Sequence, residues 1–243
     1  MFLVKLNAIN STNSYLKDLS KAINTKNWTV VSTEFQTSGR GQMHTKWESE
    51  RSKNLICSVL IKFDKITIPD QFYLNCAISL GIYNALKDYN LPQLRVKWPN
   101  DIMAVNRKLG GILIENSVMT NKIHQSVVGI GLNVNQESFP AYLPKAVSMN
   151  QILKRIFDRS ILLNQVIKSL KEQITLLEER KFETLHQNYE EVLYKKNIPQ
   201  VFENKDNQRF LGIVLGITSD GKLIVEKEDH TKQEFGFKEI KFV

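Results

Sequence analysis

The segment Gln36 to Trp47, QTSGRGQMHTKW, gathers glycines, cations and amides where no core residue would fit. Gly39 and Gly41 flank Arg40, so the backbone can turn tightly or approach a ligand while a guanidinium is presented at the turn. The chemistry this suits is anion handling. A second dense stretch, Lys97-Trp98-Pro99-Asn100-Asp101, ends a strand in a proline-fixed turn that carries an amide and a carboxylate. Asp101 is suited to hold Mg²⁺ or orient a cation, and Asn100-Asp101 equally suits a plain hairpin turn. In a third stretch, Arg107 to Glu115 (RKLGGILIE), the paired Gly110 and Gly111 weaken a strand unless another group must approach the backbone, and Lys108 stands beside them as a point charge. Gly129 to Asn135 (GIGLNVN) leaves a strand through small residues into two amides. Ser11, Thr12 and Asn13 supply side chains that either cap a helix or bind a ligand, and sequence alone does not separate the two.

These stretches need elements to hold them. Phe2 to Ile9 reads as a first strand, followed by a short helix through about Ile23. Trp28 to Phe35 is β-branched and aromatic, and Asn54 to Phe63 is a near-continuous apolar run, so the glycine-rich loop joins two strands. Pro69 to Tyr89 has helical apolar spacing. Four strand-like runs follow: Leu94 to Trp98, Ile102 to Val105, Leu109 to Val118 and Ile123 to Asn133. Ser160 to Tyr194 repeats one apolar face at helical spacing, which predicts long helices over one face of the sheet. After Asn197-Ile198-Pro199 the pattern changes to short strands, Gln200 to Phe202, Phe210 to Ile217, Lys222 to Glu226 and Lys232 to Phe237, with Asp220-Gly221 as a hairpin turn. The expected architecture is α+β, a mixed central sheet covered by helices over residues 1–196 and a small SH3-like β-barrel over 197–243.

Composition narrows the class. The chain of 243 residues is 42% hydrophobic and 24% charged, the balance of a folded globular protein. No apolar run has the length of a membrane span and no secretory leader is recognisable at the N-terminus, so a cytoplasmic location without a membrane partner is expected. Cys57 and Cys76 sit in apolar patterns and read as reduced core thiols. The net charge of +8 comes from lysines spread along the chain, which describes a solvated surface better than a nucleic-acid patch. Neither a P-loop nor a Rossmann glycine pattern is present, the four histidines have no metal-ligand spacing, and no nucleophile motif appears. No protein-held metal site is expected.

In this order, STN, QTSGRGQ, KWPND, RKLGGILIE and GIGLNVN together closely resemble biotin–protein ligases, that is biotin–[acetyl-CoA-carboxylase] ligases, in a short form. The resemblance spans the whole chain and implies the biotin ligase catalytic fold, which is class II aminoacyl-tRNA synthetase-like, with its small C-terminal module. It implies ATP-dependent conversion of biotin to biotinyl-5′-AMP with release of pyrophosphate, then transfer of biotin to a lysine of a biotin carboxyl carrier domain. Joining a carboxylate to an α-phosphate requires cations to offset repulsion. By resemblance Arg40, Lys108 and Asp101 are catalytic, with Mg²⁺ arriving with ATP. Ser11, Thr12, Asn13, Gln36, Gly39, Gly41, Gln42, Trp47, Lys97, Asn100, Gly110, Gly111, Gly131 and Asn133 join Arg40 and Lys108 in contacting biotin or adenylate.

The loop departs from the pattern of many relatives at two positions. Gln42 stands for a second arginine, which shifts adenylate retention towards Lys108 and loop closure, and His44 stands for a later glycine. Because the ligase pattern starts at Phe2, no DNA-binding activity is expected; the assembly is a monomer or homodimer. A lipoate ligase or octanoyl transferase is the enzyme alternative, and a basic nucleic-acid-binding module is the alternative of another class.

Overall fold

The computed structural model describes residues 2–22, 24–42 and 45–243. The long sheet grows from strands that alternate their faces. In β3 (Leu55–Lys62) all residues but the last are buried, because Leu55, Cys57, Val59 and Ile61 join the main core while Leu60 faces the opposite side. Burial on both faces is why the strand reads as one apolar run. On that opposite side Leu16 of α1 (Thr12–Ala22) packs with Leu60, with Val31 of β2 (Thr29–Thr33) and with Val127 of β7 (Lys122–Leu132).

The seven-stranded order is β1-β2-β3-β7-β6-β5-β4, where β1 is Phe2–Leu6, β4 Arg95–Lys97, β5 Asp101–Ala104 and β6 Arg107–Met119. Among the described residues only the β1–β2 ladder of this sheet is parallel, so the sheet is mixed and the meander β4 to β7 lies as the strand-like runs predict. The main core joins one face of this sheet to α2 (Gln71–Lys87), α4 (Arg159–Glu178) and α5 (Phe182–Glu191). The helix expected from Pro69 begins at Gln71, because a turn of 3-10 helix precedes it and the Asp70 carboxylate accepts from Thr67 N at 2.9 Å and Thr67 Oγ1 at 2.7 Å. The short α3 (Met149–Leu153) is too brief to show a period in sequence and is held by Ser148, whose hydroxyl accepts from Gln151 N at 3.1 Å.

The C-terminal strands are β8 (Pro199–Asn204), β9 (Arg209–Ile217), β10 (Leu223–Lys227), β11 (Lys232–Phe235) and β12 (Ile240–Phe242). They pair antiparallel in the order β11-β10-β9-β8-β12. Among the described residues no β11–β12 ladder closes the sheet into the expected barrel. The last strand escapes sequence reading because it has three residues. This sheet shares one core with the larger one: Phe202, Val214, Leu223 and Phe235 belong to the same buried cluster as Val96, Trp98 and Tyr189. Polar contacts lock the seam. Trp98 Nε1 donates to Gly221 O at 2.9 Å, and Glu190 accepts from Ile217 N at 2.8 Å and from Lys196 Nζ at 2.7 Å.

Candidate active site

Glycines expose the backbone of two neighbouring strands and so make a floor. A Cβ at Gly131 would come within 2.5 Å of the Trp47 ring, and one at Gly129 within 2.3 Å of Asn13 Oδ1. At Gly111, where Trp47 and Lys108 are the nearest groups, a Cβ would still find ordinary contact at 3.4 to 3.5 Å. Gly131 pairs with Gly111 across β6 and β7, so the Trp47 indole lies over a patch without side chains. The cavity is about 270 Å³, close to the lower end for small-ligand sites at about 300 Å³. Trp47 Nε1 is buried without a hydrogen-bond partner among the described residues.

One end of the cavity is a hydroxyl and amide cluster at the start of α1. Thr12 N and Thr12 Oγ1 donate to Gln36 Oε1 at 2.8 and 3.1 Å. Ser58 Oγ lies 2.7 Å from Thr12 Oγ1 and 2.5 Å from Asn13 Oδ1. Asn13 Nδ2 donates to Glu115 Oε2 at 3.0 Å and Leu113 O at 3.3 Å, which fixes the amide. Ser11, Thr12 and Asn13 are buried and all line the cavity. Ser11 also caps, since its hydroxyl accepts from Ser14 N at 3.4 Å.

Lys108 sits at the other end, and Arg40 reaches from the loop to the Glu115 carboxylate that also holds Asn13. Lys108 Nζ is 2.7 Å from Asp101 Oδ1, and Arg40 Nη2 is 2.7 Å from Glu115 Oε2. A register shift explains the first pair. Ile102 faces Gly110 but Met103 faces Lys108, so Leu109 is an extra residue in β6. Leu109 therefore turns into the core, and Lys108 comes to the same face as Asp101 and Gly111. Burial alone would raise the Glu115 carboxyl; the Asn13 amide, Arg40 and Lys17 outweigh it and hold the group below its ordinary value. The loop itself is pinned at its base, with Trp47 N donating to Gly39 O at 3.0 Å and Gly41 N to Thr45 O at 2.7 Å. Asn100 Nδ2 donates to Ile112 O at 2.7 Å.

Of the residues predicted from sequence, Gln36, Arg40, Gly41, Gln42, Trp47, Asn100, Asp101, Lys108, Gly111 and Gly131 also line this cavity. Four do not. Gly39 is packed under the loop, where a Cβ would meet Trp47 O at 2.3 Å. Gly110 faces Leu132 in the core. Asn133 is buried behind the site, with its amide donating to Val147 O at 3.1 Å and Lys108 O at 3.4 Å. Lys97 lines an adjoining cavity against the C-terminal sheet, with its ammonium 4.9 Å from the Phe242 ring centroid. Burial pushes the Lys97 ammonium below its ordinary value, Asp101 opposes the shift, and Lys145 and Lys108 add to it. His44 lies outside the described residues.

Sequence reading missed Ser58, the Glu115 partnership, and Phe237 with Lys238, which line the cavity from beyond β11. Ser58 left a signal, a lone hydroxyl inside an apolar run. Phe237 and Lys238 left none, because only the folding of the C-terminal sheet onto Trp98 brings them there, with Phe237 edge-on to Trp98 at 6.3 Å.

A sequence profile of the biotin/lipoate A/B protein ligase family matches residues 6–133, more than half of the chain. The chain belongs to this family. Among biotin/lipoate ligase family relatives, the bifunctional ligase/repressor BirA of Escherichia coli is 28% identical over 95% of this chain and 71% of its own length. Biotin–protein ligase 2 of Arabidopsis thaliana is 26% identical over 84% of this chain and 64% of its own length. The fold is that of solved biotin protein ligases. The Aquifex aeolicus enzyme in complex with biotin and ATP superposes with a TM-score of 0.81 at 24% identity, covering 100% of this chain and 98% of that one. The Leishmania major enzyme in complex with biotinyl-5-AMP gives 0.64 at 19% identity, covering 97% and 99%.

Proposed function

We propose that this chain is a biotin–protein ligase which condenses biotin with ATP to biotinyl-5′-AMP and transfers the acyl group to a lysine of a biotin carboxyl carrier domain. The observation that carries the reading is the juxtaposition, in one cavity, of a neutral hydrogen-bonding end at Ser11, Thr12, Asn13 and Gln36 with a cationic end at Lys108, and with Arg40 on the Glu115 carboxylate that also holds Asn13. A ureido ring has one carbonyl and two N–H groups and is neutral, so it suits the first end. The indole of Trp47 over the glycine floor suits the apolar ring and chain between them.

In the first step a carboxylate oxygen attacks the α-phosphorus, the bond from that phosphorus to the bridging oxygen breaks, and pyrophosphate leaves. Lys108 and Arg40 offset the negative charge brought together there. Asp101, which lines the same cavity beside Lys108, would be the residue to hold Mg²⁺ arriving with ATP. The ion supplies charge neutralisation on the phosphates. In the second step the carrier lysine, as free amine, attacks the acyl carbon, AMP leaves and one proton is released. No protein nucleophile is needed.

Cys57 is the cysteine that lines the cavity, and its burial disfavours an acyl transferase working through it. Burial pushes the Cys57 thiol up to about 12, so it stays protonated at neutral pH and is a weak nucleophile. The test is pyrophosphate release from ATP with biotin or with lipoate, followed by labelling of an acetyl-CoA carboxylase carrier domain. Biotin-dependent release and labelling are expected. Turnover with lipoate alone, or with neither acid, overturns the reading.

A further inference from the structure

Four cations line the cavity, and they differ in what holds them. Arg40 and Lys108 each sit 2.7 Å from a carboxylate, at Glu115 and Asp101. Lys46 and Lys238 have no carboxylate partner among the described residues. Lys46 lies in the same loop as Gln42 and is bridged to Arg40 through its backbone. Lys238 comes from the C-terminal sheet, in the turn segment between β11 and β12.

That turn is built to present it. Gly236 N donates to Glu239 Oε2 at 2.7 Å, the preceding Phe237 ring abuts Trp98, and Trp98 in turn donates to Gly221 O. The same two residues, Phe237 and Lys238, line both the main cavity and the neighbouring one that holds Lys97, so they form the ridge beside Asn100 and Asp101. From the loop the main cavity is lined by Gln42, which can hydrogen-bond but carries no charge.

Resting on the ligase reading above, we propose that Lys238 is a substrate-binding residue contributed by the C-terminal sheet, whose ammonium binds the phosphate of the adenylate and supplies the charge that Gln42 lacks. The C-terminal sheet is then part of the active site. A lysine acts here as a mobile point charge that closes on a phosphate across the cavity mouth.

The turn offers a clean variant. Lys238 has φ of 69°, a backbone region that glycine adopts without cost, so Lys238→Gly keeps the turn while removing the ammonium. Binding is measured by calorimetry with two unreactive analogues of the intermediate, one linked through a charged phosphodiester and one through a neutral group. Loss of one charge-assisted contact is expected to weaken the charged analogue about 10- to 100-fold and to leave the neutral one and biotin unchanged. Adding Gln42→Arg to Lys238→Gly is expected to restore the charged analogue. Equal weakening of both analogues, or no weakening, overturns the phosphate role, and failed restoration overturns the exchange with Gln42. If neither analogue binds the unsubstituted chain, the ligase reading fails instead.

Discussion

Lys108 and Arg40 illustrate why residue type alone does not define a catalytic charge. Each is tied to a carboxylate at 2.7 Å, so a ligand phosphate or carboxylate must draw the cation away from Asp101 or Glu115. Lys108→Ala and Arg40→Ala are each expected to slow biotin-dependent pyrophosphate release by about 100-fold or more, the scale of losing one preorganised electrostatic group. The melting temperature should move little, because both side chains are near half exposed. Parent-rate adenylation in both variants would refute the role. Gly131→Ala tests the floor: the new methyl collides with the Trp47 ring, so biotin affinity measured by titration calorimetry should fall at least about tenfold while the fold persists. Unchanged affinity would show that the indole does not cover the ligand.

At the scale of elements, a carboxylate of β6 helps to tie the loop from Gln36 to Trp47 to the sheet. Glu115 of β6 reaches Arg40 of the loop, Asn13 and Lys17 of α1. Because its folded value lies below the ordinary 4.5, its contribution to holding the loop is present above that pH and is lost as pH falls through the lowered folded value. Hydrogen exchange of the described loop amides should therefore be steady from pH 7 to pH 5, after correction for intrinsic rates, and Glu115→Gln should speed it already at pH 7. Biotin with ATP should slow exchange over residues 37–42 and 45–53; equal protection with and without ligands would remove the loop from the binding site.

The whole molecule behaves as one core with two sheets. The cluster that begins in β3 runs through Trp98 and Tyr189 into Phe202 and Leu223, and the seam adds the Glu190 contacts to Ile217 and Lys196. We infer that residues 197–243 do not melt separately from 1–196. Calorimetry should give one transition whose calorimetric and van't Hoff enthalpies agree. Trp98→Phe, which removes the donor to Gly221 O, costs about 1 kcal/mol and lowers that single midpoint by about 2–4 °C. Two transitions, or a shift confined to part of the signal, would contradict a shared core.

The sequence by itself determined the ingredients. Apolar alternation located the strands of the large sheet, helical spacing located α2, α4 and α5, and the five motifs supplied the residues that surround the cavity. Those signals are local, carried by neighbours along the chain. Tertiary structure decided what depends on contacts between distant segments. The extra residue at Leu109 turns Lys108 towards Asp101, although regular alternation would have put it on the core face. Ser58 and Glu115 become partners of Asn13 because β3 and β6 lie on either side of β7 under α1. Asn133, drawn from a motif that reads as polar contacts, turns its amide to the backbone behind the site, since a buried amide must find partners where the chain brings carbonyls. Lys238 stands at the cavity only because the second sheet docks on Trp98, a contact between residues far apart in the chain that no local pattern encodes.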